Sequence, residues 1–277
     1  MTTTLPATAI LGAGSMGGAI LHGLVRPDVT VEGGVRVTNR SEAKAVPLRH
    51  DDVTSLATET DPAANASAVT GAKIVLLGVK PYMIVDLLRE IAPVLEPGTV
   101  VVSLAAGTTI ATMEAELPAS IPVLRAMPNT PAVVGRGVTG LAAGTRSSDA
   151  DLALAKSLFE VVGDVVVIPE DKIDALSTVS GSGPAYVFYF IEELTKTAID
   201  LGFSPVQAAT MVQGTFRGAS ELLASDVTAP DELRRRVTSP NGTTEKAVEV
   251  LQSGGLKELF DRATAAAAAR AAEIAAS

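Results

Sequence analysis

Thr8-Ala9-Ile10-Leu11-Gly12-Ala13-Gly14-Ser15-Met16-Gly17 decides the fold, because a short apolar strand runs into three glycines that open a helical pattern from Ser15 to Val25. A strand, a glycine turn and a helix in that order form the phosphate-binding start of a dinucleotide fold. Gly12 makes the tight turn, Gly14 lets a pyrophosphate approach the backbone, and Gly17 lets helix and strand pack. Backbone N–H groups of Ser15 and Met16 then lie at a helix N-terminus, where an anion is favoured. A flavin or nucleotide-sensing site would use the same glycines.

Outward from this turn, short Val/Ile/Leu runs alternate with amphipathic stretches: Thr8 to Leu11, Val35 to Thr38, Ile74 to Val79, Thr99 to Ser103, Val123 to Met127 and Val165 to Ile168. The rhythm predicts a mostly parallel sheet with crossover helices. Beyond about Glu170 the strand signals stop, and long helical patterns cover Lys172 to Leu201, Pro205 to Ala224, Thr243 to Gln252 and Leu256 to Ala276. The expected architecture is α/β: a Rossmann-type domain over residues 1–169 followed by an all-α domain over residues 170–277, the latter serving dimerisation and substrate binding. Val187, Phe190, Ile191, Leu194, Ala198 and Leu201 recur at spacings of three and four, an apolar stripe that needs a partner. A second subunit is the expected source of some of that burial. The Ala-rich run from Ala263 to Ala276 reads as a helix of high propensity and nothing more.

Composition removes several classes of function. The chain of 277 residues carries a net charge of −9, which argues against a nucleic-acid partner needing a clustered basic face. Arg234 to Arg236 is the one basic run, and it reads as a solvated face. Hydrophobic residues make up 47% of the chain with only 3% aromatics, so small side chains suited to close helix packing dominate. The absence of cysteine excludes disulfides, thiolate nucleophiles and thiolate metal sites. Met1 to Ala7 shows no basic region ahead of an apolar one, and the long uncharged stretch Ala175 to Ile191 is broken by Ser-Gly-Ser-Gly-Pro. A cytoplasmic protein without membrane or metal is expected.

The end of the second strand selects the dinucleotide, because NAD sites place an Asp or Glu there for the ribose hydroxyl. This chain has Asn39-Arg40-Ser41 instead. Arg40 can pair with a 2′-phosphate, and Asn39 and Ser41 can donate hydrogen bonds, which favours NADPH over NADH. Gly78-Val79-Lys80-Pro81 and Ala105-Ala106-Gly107 follow two other strands, where small residues leave room for a flat ring at the carboxyl edge of the sheet. Lys80 reads equally well as a solvated strand-end lysine.

Two further runs carry the chemistry. Ser180-Gly181-Ser182-Gly183-Pro184-Ala185-Tyr186 interrupts a helical region and leaves backbone groups free, either as a packing kink or as a ligand-facing turn with the hydroxyls of Ser180 and Ser182. Val237-Thr238-Ser239-Pro240-Asn241-Gly242-Thr243-Thr244 puts hydroxyls and N–H groups just ahead of a helix, where a small carboxylate could dock. An alcohol dehydrogenase normally needs a His or Lys to take the hydroxyl proton. His22 and His50 read as solvated, and Lys196 with Glu192 and Glu193 reads as an exposed helix face. Reduction of a C=N bond asks less, since a protonated imine is already electrophilic and solvent can supply its proton. Thr244 would then hydrogen-bond the ring nitrogen, while Ser239 and the N–H groups of Gly242 and Thr243 hold a carboxylate.

At these residues the chain resembles the Δ1-pyrroline-5-carboxylate reductase family, over about residues 8 to 262. The resemblance rests on Gly12 to Gly17, Val79-Lys80-Pro81, Arg125-Ala126-Met127-Pro128-Asn129-Thr130-Pro131, Ser180 to Tyr186 and Thr238 to Thr244. It implies reduction of L-1-pyrroline-5-carboxylate to L-proline with NADPH or NADH, the last step of proline biosynthesis. It also implies a homodimer through the C-terminal domain, with rings up to decamers. Carried over by motif, Asn39, Arg40, Ser41, Asn65, Val79, Lys80, Ala105, Ala106 and Asn129 would bind cofactor. Ser182, Ser239, Gly242, Thr243 and Thr244 would bind substrate, with Thr244 foremost in the chemistry. Asn241 departs from the family's usual Gly, and Asn tolerates positive φ better than most residues. Two rivals share the cofactor half: a β-hydroxyacid dehydrogenase, whose relatives carry a catalytic Lys soon after a glycine turn where Ala185 to Glu193 has none, and a dinucleotide sensor without turnover.

Overall fold

Strands buried on both faces read as continuous apolar runs, and the computed structural model, which describes residues 3–275, builds its main sheet from such strands. In chain order the strands are β1 (Thr3–Leu5), β2 (Thr8–Leu11), β3 (Val29–Val31), β4 (Val35–Asn39), β5 (Val53–Ala57), β6 (Ile74–Leu77), β7 (Val100–Ser103), β8 (Val123–Met127), β9 (Gly137–Ala143) and β10 (Gly163–Val167). The helices are α1 (Ser15–Leu24), α2 (Glu42–Ala45), α3 (Ala64–Val69), α4 (Ile84–Ile91), α5 (Ile110–Glu116), α6 (Asp149–Glu160), α7 (Ile173–Leu176), α8 (Gly183–Asp200), α9 (Pro205–Ser225), α10 (Pro230–Arg236), α11 (Thr243–Ser253) and α12 (Leu256–Ala275). Ala276, the expected end of the last helix, lies outside the described residues.

Eight strands form one sheet in the order β10-β9-β8-β7-β6-β2-β4-β5, while β1 and β3 pair separately. Every pairing is parallel except β8 with β9, so the expected mostly parallel sheet is present. Alternate residues of each strand serve opposite faces. Ile10, Val37, Leu76, Val102 and Leu124 pack with Ile20, Leu24, Leu158 and Phe159 of α1 and α6. Leu11, Val75, Leu77, Val101 and Val123 pack with Ile84, Leu88, Ile91 and Met113 of α4 and α5. Burial on both sides is what fixes the register of a short parallel strand.

The strand order reverses between β2 and β6, and two glycines meet there. A Cβ on Gly12, whose φ is +90°, would come within 2.9 Å of the Gly78 backbone; one on Gly78 would come within 2.5 Å of the Gly12 carbonyl oxygen. This approach ends β6 at Leu77, two residues before the expected Val79. Four strands carry no clear sequence signal: β1, β3, β5 and the antiparallel β9.

The helical half departs from expectation in three places. The pattern from Lys172 to Leu201 divides into α7, a wide π-turn over Ser177–Gly181, and α8. The backbone is not left free there, because Ser182 N–H donates to Ser177 O at 2.9 Å and Ser180 Oγ donates to Leu176 O at 3.2 Å. A short helix, α10, precedes the Val237 to Thr244 run and carries Arg234, Arg235 and Arg236 exposed in its last turn. Finally, the compact units are residues 1–182 with 267–277, and residues 183–266, so the composition shift at 169/170 falls inside the first unit. The reason is a buried arginine. Arg125 on β8 is 3% exposed and donates to Asp174 Oδ1 at 2.7 Å, with Glu170 Oε1 3.7 Å away. Glu170 in turn accepts the Ile110 N–H at the start of α5, and Ile173 is fully buried beside the sheet.

In the second unit, Ala198, Ala208 and Val212 form a small core with Ile191 and Phe216, and Phe260 packs against Tyr186 and Phe190. Phe188, Tyr189, Leu201 and Val206 are each 60% exposed or more, a larger apolar display than isolated soluble domains carry. No helix among the described residues is long and apolar enough to cross a membrane.

Replacing Gly78 with Ala forces its Cβ into the Gly12 carbonyl, so the variant is expected to lose about 1–3 kcal/mol of stability by overpacking. Urea unfolding reads the shift, and an unchanged midpoint would show that the two loops separate easily.

Candidate active site

Because β2, β4, β6, β7 and β8 run parallel, their carboxyl ends share one edge of the sheet. Gly12 to Gly17, Asn39 to Ser41, Val79 and Lys80, and Ala105 and Ala106 all follow strands at that edge. The expected cofactor residues are therefore brought together in the first unit.

The glycine loop fits a pyrophosphate. Gly12 and Ala13 N–H both donate to Thr38 O at 3.0 and 2.9 Å, which pins the turn to β4. Gly17 sits against the Gly12 carbonyl, where a Cβ would come within 2.7 Å, whereas a Cβ on Gly14 would meet nothing within 4 Å. Gly14 is the N-cap of α1, gives no side-chain cap, and no acidic residue lies in the first turn. The N–H groups there are left to an anionic ligand.

Next to it, Asn39 is 6% exposed and its amide nitrogen is buried without a hydrogen-bond partner. An orphaned buried donor is costly unless a ligand completes it. Arg40 is exposed, and Ser41 is the N-cap of α2. Thr38 Oγ1 donates to Asn65 Oδ1 at 2.8 Å, and Asn65 Nδ2 reaches Glu90 at 3.2 Å, so Asn65 braces the β4 end. No motif marks Glu59, which follows β5 and accepts the Glu42 N–H at 2.7 Å. A carboxylate thus does stand beside the Asn39–Ser41 loop, although it comes from the neighbouring strand.

On the nicotinamide side of the edge, Lys80 is exposed and Pro81 opens a 3₁₀ turn. Ala105 is buried at 4% exposure, its N–H held by Ser103 Oγ at 3.1 Å, and Ala106 is exposed. Asn129 at the end of β8 is engaged in the scaffold: Nδ2 donates to Ser180 O at 2.9 Å and Oδ1 accepts the Val138 N–H at 2.8 Å. One amide hydrogen remains for a ligand. Asn129 thereby fixes the π-turn that leads to Ser182.

Ser182 belongs to the first unit, whereas Ser239, Gly242, Thr243 and Thr244 belong to the second. Ser239, Thr243 and Thr244 are exposed at the loop and the first turn of α11. Gly242 differs from expectation. Its N–H is taken by Ser239 O at 3.0 Å, so it closes a turn and is not available to a carboxylate. As the N-cap of α11 it has no side chain to accept from the first-turn N–H groups, which leaves those of Thr243 and Thr244 as the donors there. Thr238 Oγ1 is likewise turned inward, to Arg234 O at 2.6 Å.

Candidate proton-transfer groups lie elsewhere. Lys196 is gripped by Glu192 and Glu193 at 2.7 Å each, and those two carboxylates raise its ammonium well above the ordinary lysine value. It is no base at neutral pH. His22 is exposed at the end of α1 and His50 on the β5 side. No cluster of three His, Cys, Asp or Glu suited to a metal occurs among the described residues.

These arrangements have known counterparts. Residues 170–274 match the family model for pyrroline-5-carboxylate reductase dimerisation, and residues 7–107 match that for the coenzyme F420-dependent NADP oxidoreductases. The pyrroline-5-carboxylate reductase of Corynebacterium melassecola is 38% identical over 269 residues, covering 96% of this chain and 97% of its own. Among solved structures, the reductase of Coxiella burnetii superposes with a TM-score of 0.88 at 36% identity, covering 96% of this chain and 97% of its own. The Plasmodium falciparum pyrroline carboxylate reductase, solved with NADP bound, shares the fold at a TM-score of 0.78 and 23% identity, with 96% of each chain covered. With the glycine cradle, the hydroxyl loop and near-complete coverage in agreement, the chain belongs to the pyrroline-5-carboxylate reductase family.

Proposed function

We propose that this protein reduces L-1-pyrroline-5-carboxylate to L-proline in the cytoplasm, with NADPH preferred and NADH accepted. The observation that carries the reading is the pairing of an uncapped glycine cradle at α1 with an uncapped hydroxyl turn at α11. One suits a pyrophosphate and the other a small carboxylate. When bound, the reduced nicotinamide supplies the hydride that the imine carbon accepts.

What the chain's own residues do is hold and orient. Ser15, Met16 and Gly17 offer N–H groups to the pyrophosphate, and Arg40, Asn39 and Ser41 recognise the phosphorylated ribose. Val79, Lys80, Ala105 and Ala106 flank the nicotinamide half. Ser239 and the N–H groups of Thr243 and Thr244 hold the substrate carboxylate, with Ser182 as a further contact. The Thr244 hydroxyl hydrogen-bonds the ring nitrogen and steadies its charge as it gains a proton from water. Orientation of this kind carries most of the rate when the electrophile is already activated.

A hydroxyacid dehydrogenase is disfavoured because Lys196 is locked between two carboxylates. A sensor without turnover would not need the Thr243–Thr244 pair. The exposed apolar faces of α8 and α9 support a homodimer through the helical unit, and the decamer that the family resemblance implies would be built from such dimers. Light scattering is expected to read twice the chain mass or a multiple of it; a monomer would refute this assembly.

Thr244→Ala is expected to lower kcat about tenfold, the worth of one hydrogen bond to a charged group, with the KM for NADPH nearly unchanged. Equal losses in both would remove Thr244 from the substrate. Arg40→Asp is expected to shift the NADPH-to-NADH ratio of kcat/KM toward NADH by about tenfold or more. An unaltered ratio would defeat the phosphate assignment and point to Glu59 or Asn39 as the discriminator.

A further inference from the structure

Ser239-Pro240-Asn241-Gly242 closes as a four-residue turn through the Gly242 N–H to Ser239 O bond of 3.0 Å. Asn241 stands third in it with φ 57°, the single positive-φ residue other than glycine among those described. Proline second and a left-handed residue third is the type II pattern, whose third position ordinarily takes glycine because a Cβ is penalised there. Asparagine lessens that penalty without removing it.

A side chain four residues ahead compensates. The Asn241 N–H donates to Glu245 Oε2 at 2.8 Å, and Glu245 is the third residue of α11, half-buried, reaching back over the first turn. A carboxylate accepting a backbone N–H makes a charge-assisted bond, stronger than a neutral one. It is also favoured at a helix N-terminus. Gly242 cannot share the task, since it lacks a side chain and a Cβ would come within 2.9 Å of Ser239 O. The shape of the loop thus depends on the φ of Pro240, the bareness of Gly242 and the acceptor on Glu245.

We infer that Glu245 is a positioning residue for the reductase reaction. By holding Asn241 in its left-handed conformation it keeps the Thr243 and Thr244 groups in the arrangement that receives the substrate carboxylate. This rests on the reading that the loop binds substrate. Asn241 and Glu245 act as one unit: glycine at 241 would make the acceptor at 245 dispensable.

The test is a double-mutant set on the full chain, Glu245→Ala, Glu245→Gln, Asn241→Gly and the Glu245→Ala/Asn241→Gly pair, read by steady-state kinetics and by amide exchange of the peptide spanning Ser239 to Gly242. Glu245→Ala is expected to raise the KM for pyrroline-5-carboxylate about tenfold, the population factor of a left-handed penalty released, while the KM for NADPH stays within about twofold. Its loop amides should exchange faster. Glu245→Gln keeps an acceptor oxygen and should stay close to the parent. The pair should recover most of the loss, which a merely destabilised helix would not do. A Glu245→Ala variant with parental KM and parental exchange, or a pair no better than Glu245→Ala alone, overturns the inference. Should the parent protein not turn over the imine, the substrate reading falls, and the exchange comparison alone decides whether Glu245 holds the turn.

Discussion

Backbone meets backbone where Gly12 and Gly78 touch, and the cofactor half of the molecule is arranged around that contact. The two residues follow adjacent strands at the point where the strand order reverses, and no side chain fits between them. Their closeness brings the ends of β2 and β6 together and sends α1 away with an uncapped N-terminus. It also clears the edge on which Val79, Lys80, Ala105 and Ala106 sit. A hydrophobic core could be assembled in many ways that keep the same burial. The close approach of the two turns depends on these two residues having no Cβ.

The chemistry follows from which side chains each unit leaves available. Lys196, the first lysine after the glycine-rich segment of the helical half, is held by two carboxylates, and both histidines are exposed. Hydroxyls and helix N–H groups remain. Such groups suit a substrate that arrives as an activated imine, since they orient it and need not exchange protons with it. The buried Arg125, with Asp174 and Glu170, serves the same end indirectly by tying the segment that carries the π-turn to the sheet. Removing both carboxylates would leave the buried Arg125 guanidinium without a counter-charge, which is costly.

Much of this was legible in the sequence where local pattern and tertiary structure agree. The six strands with Val, Ile and Leu runs were found within a few residues of their ends, and the glycine turn and α11 occur where the motifs place them. Strands without a continuous apolar run were not legible. β5, with Thr54 and Ser55, lacks a continuous apolar run, and β9 contains Gly137, Thr139 and Gly140 and is defined by its antiparallel pairing with β8. Composition turns helical at residue 170, while the ion pair from the buried Arg125 to Asp174 binds the start of that helical segment to the sheet. At the site, residue types were readable and their duties less so. The Gly242 N–H closes a turn, and Asn129 braces the scaffold through two hydrogen bonds while keeping one amide hydrogen free. Glu59 and Glu245 gave no signal alone, because each matters through one hydrogen bond to a backbone N–H across a turn.

The most direct measurement is to follow the label. Incubated in ordinary water with L-1-pyrroline-5-carboxylate and NADPH deuterated at the transferable position of its nicotinamide ring, the protein should yield proline with one deuterium on the δ-carbon, the former imine carbon. Proline without that deuterium, or cofactor left unoxidised while a 3-hydroxyacid is turned over with NADP, would contradict the account.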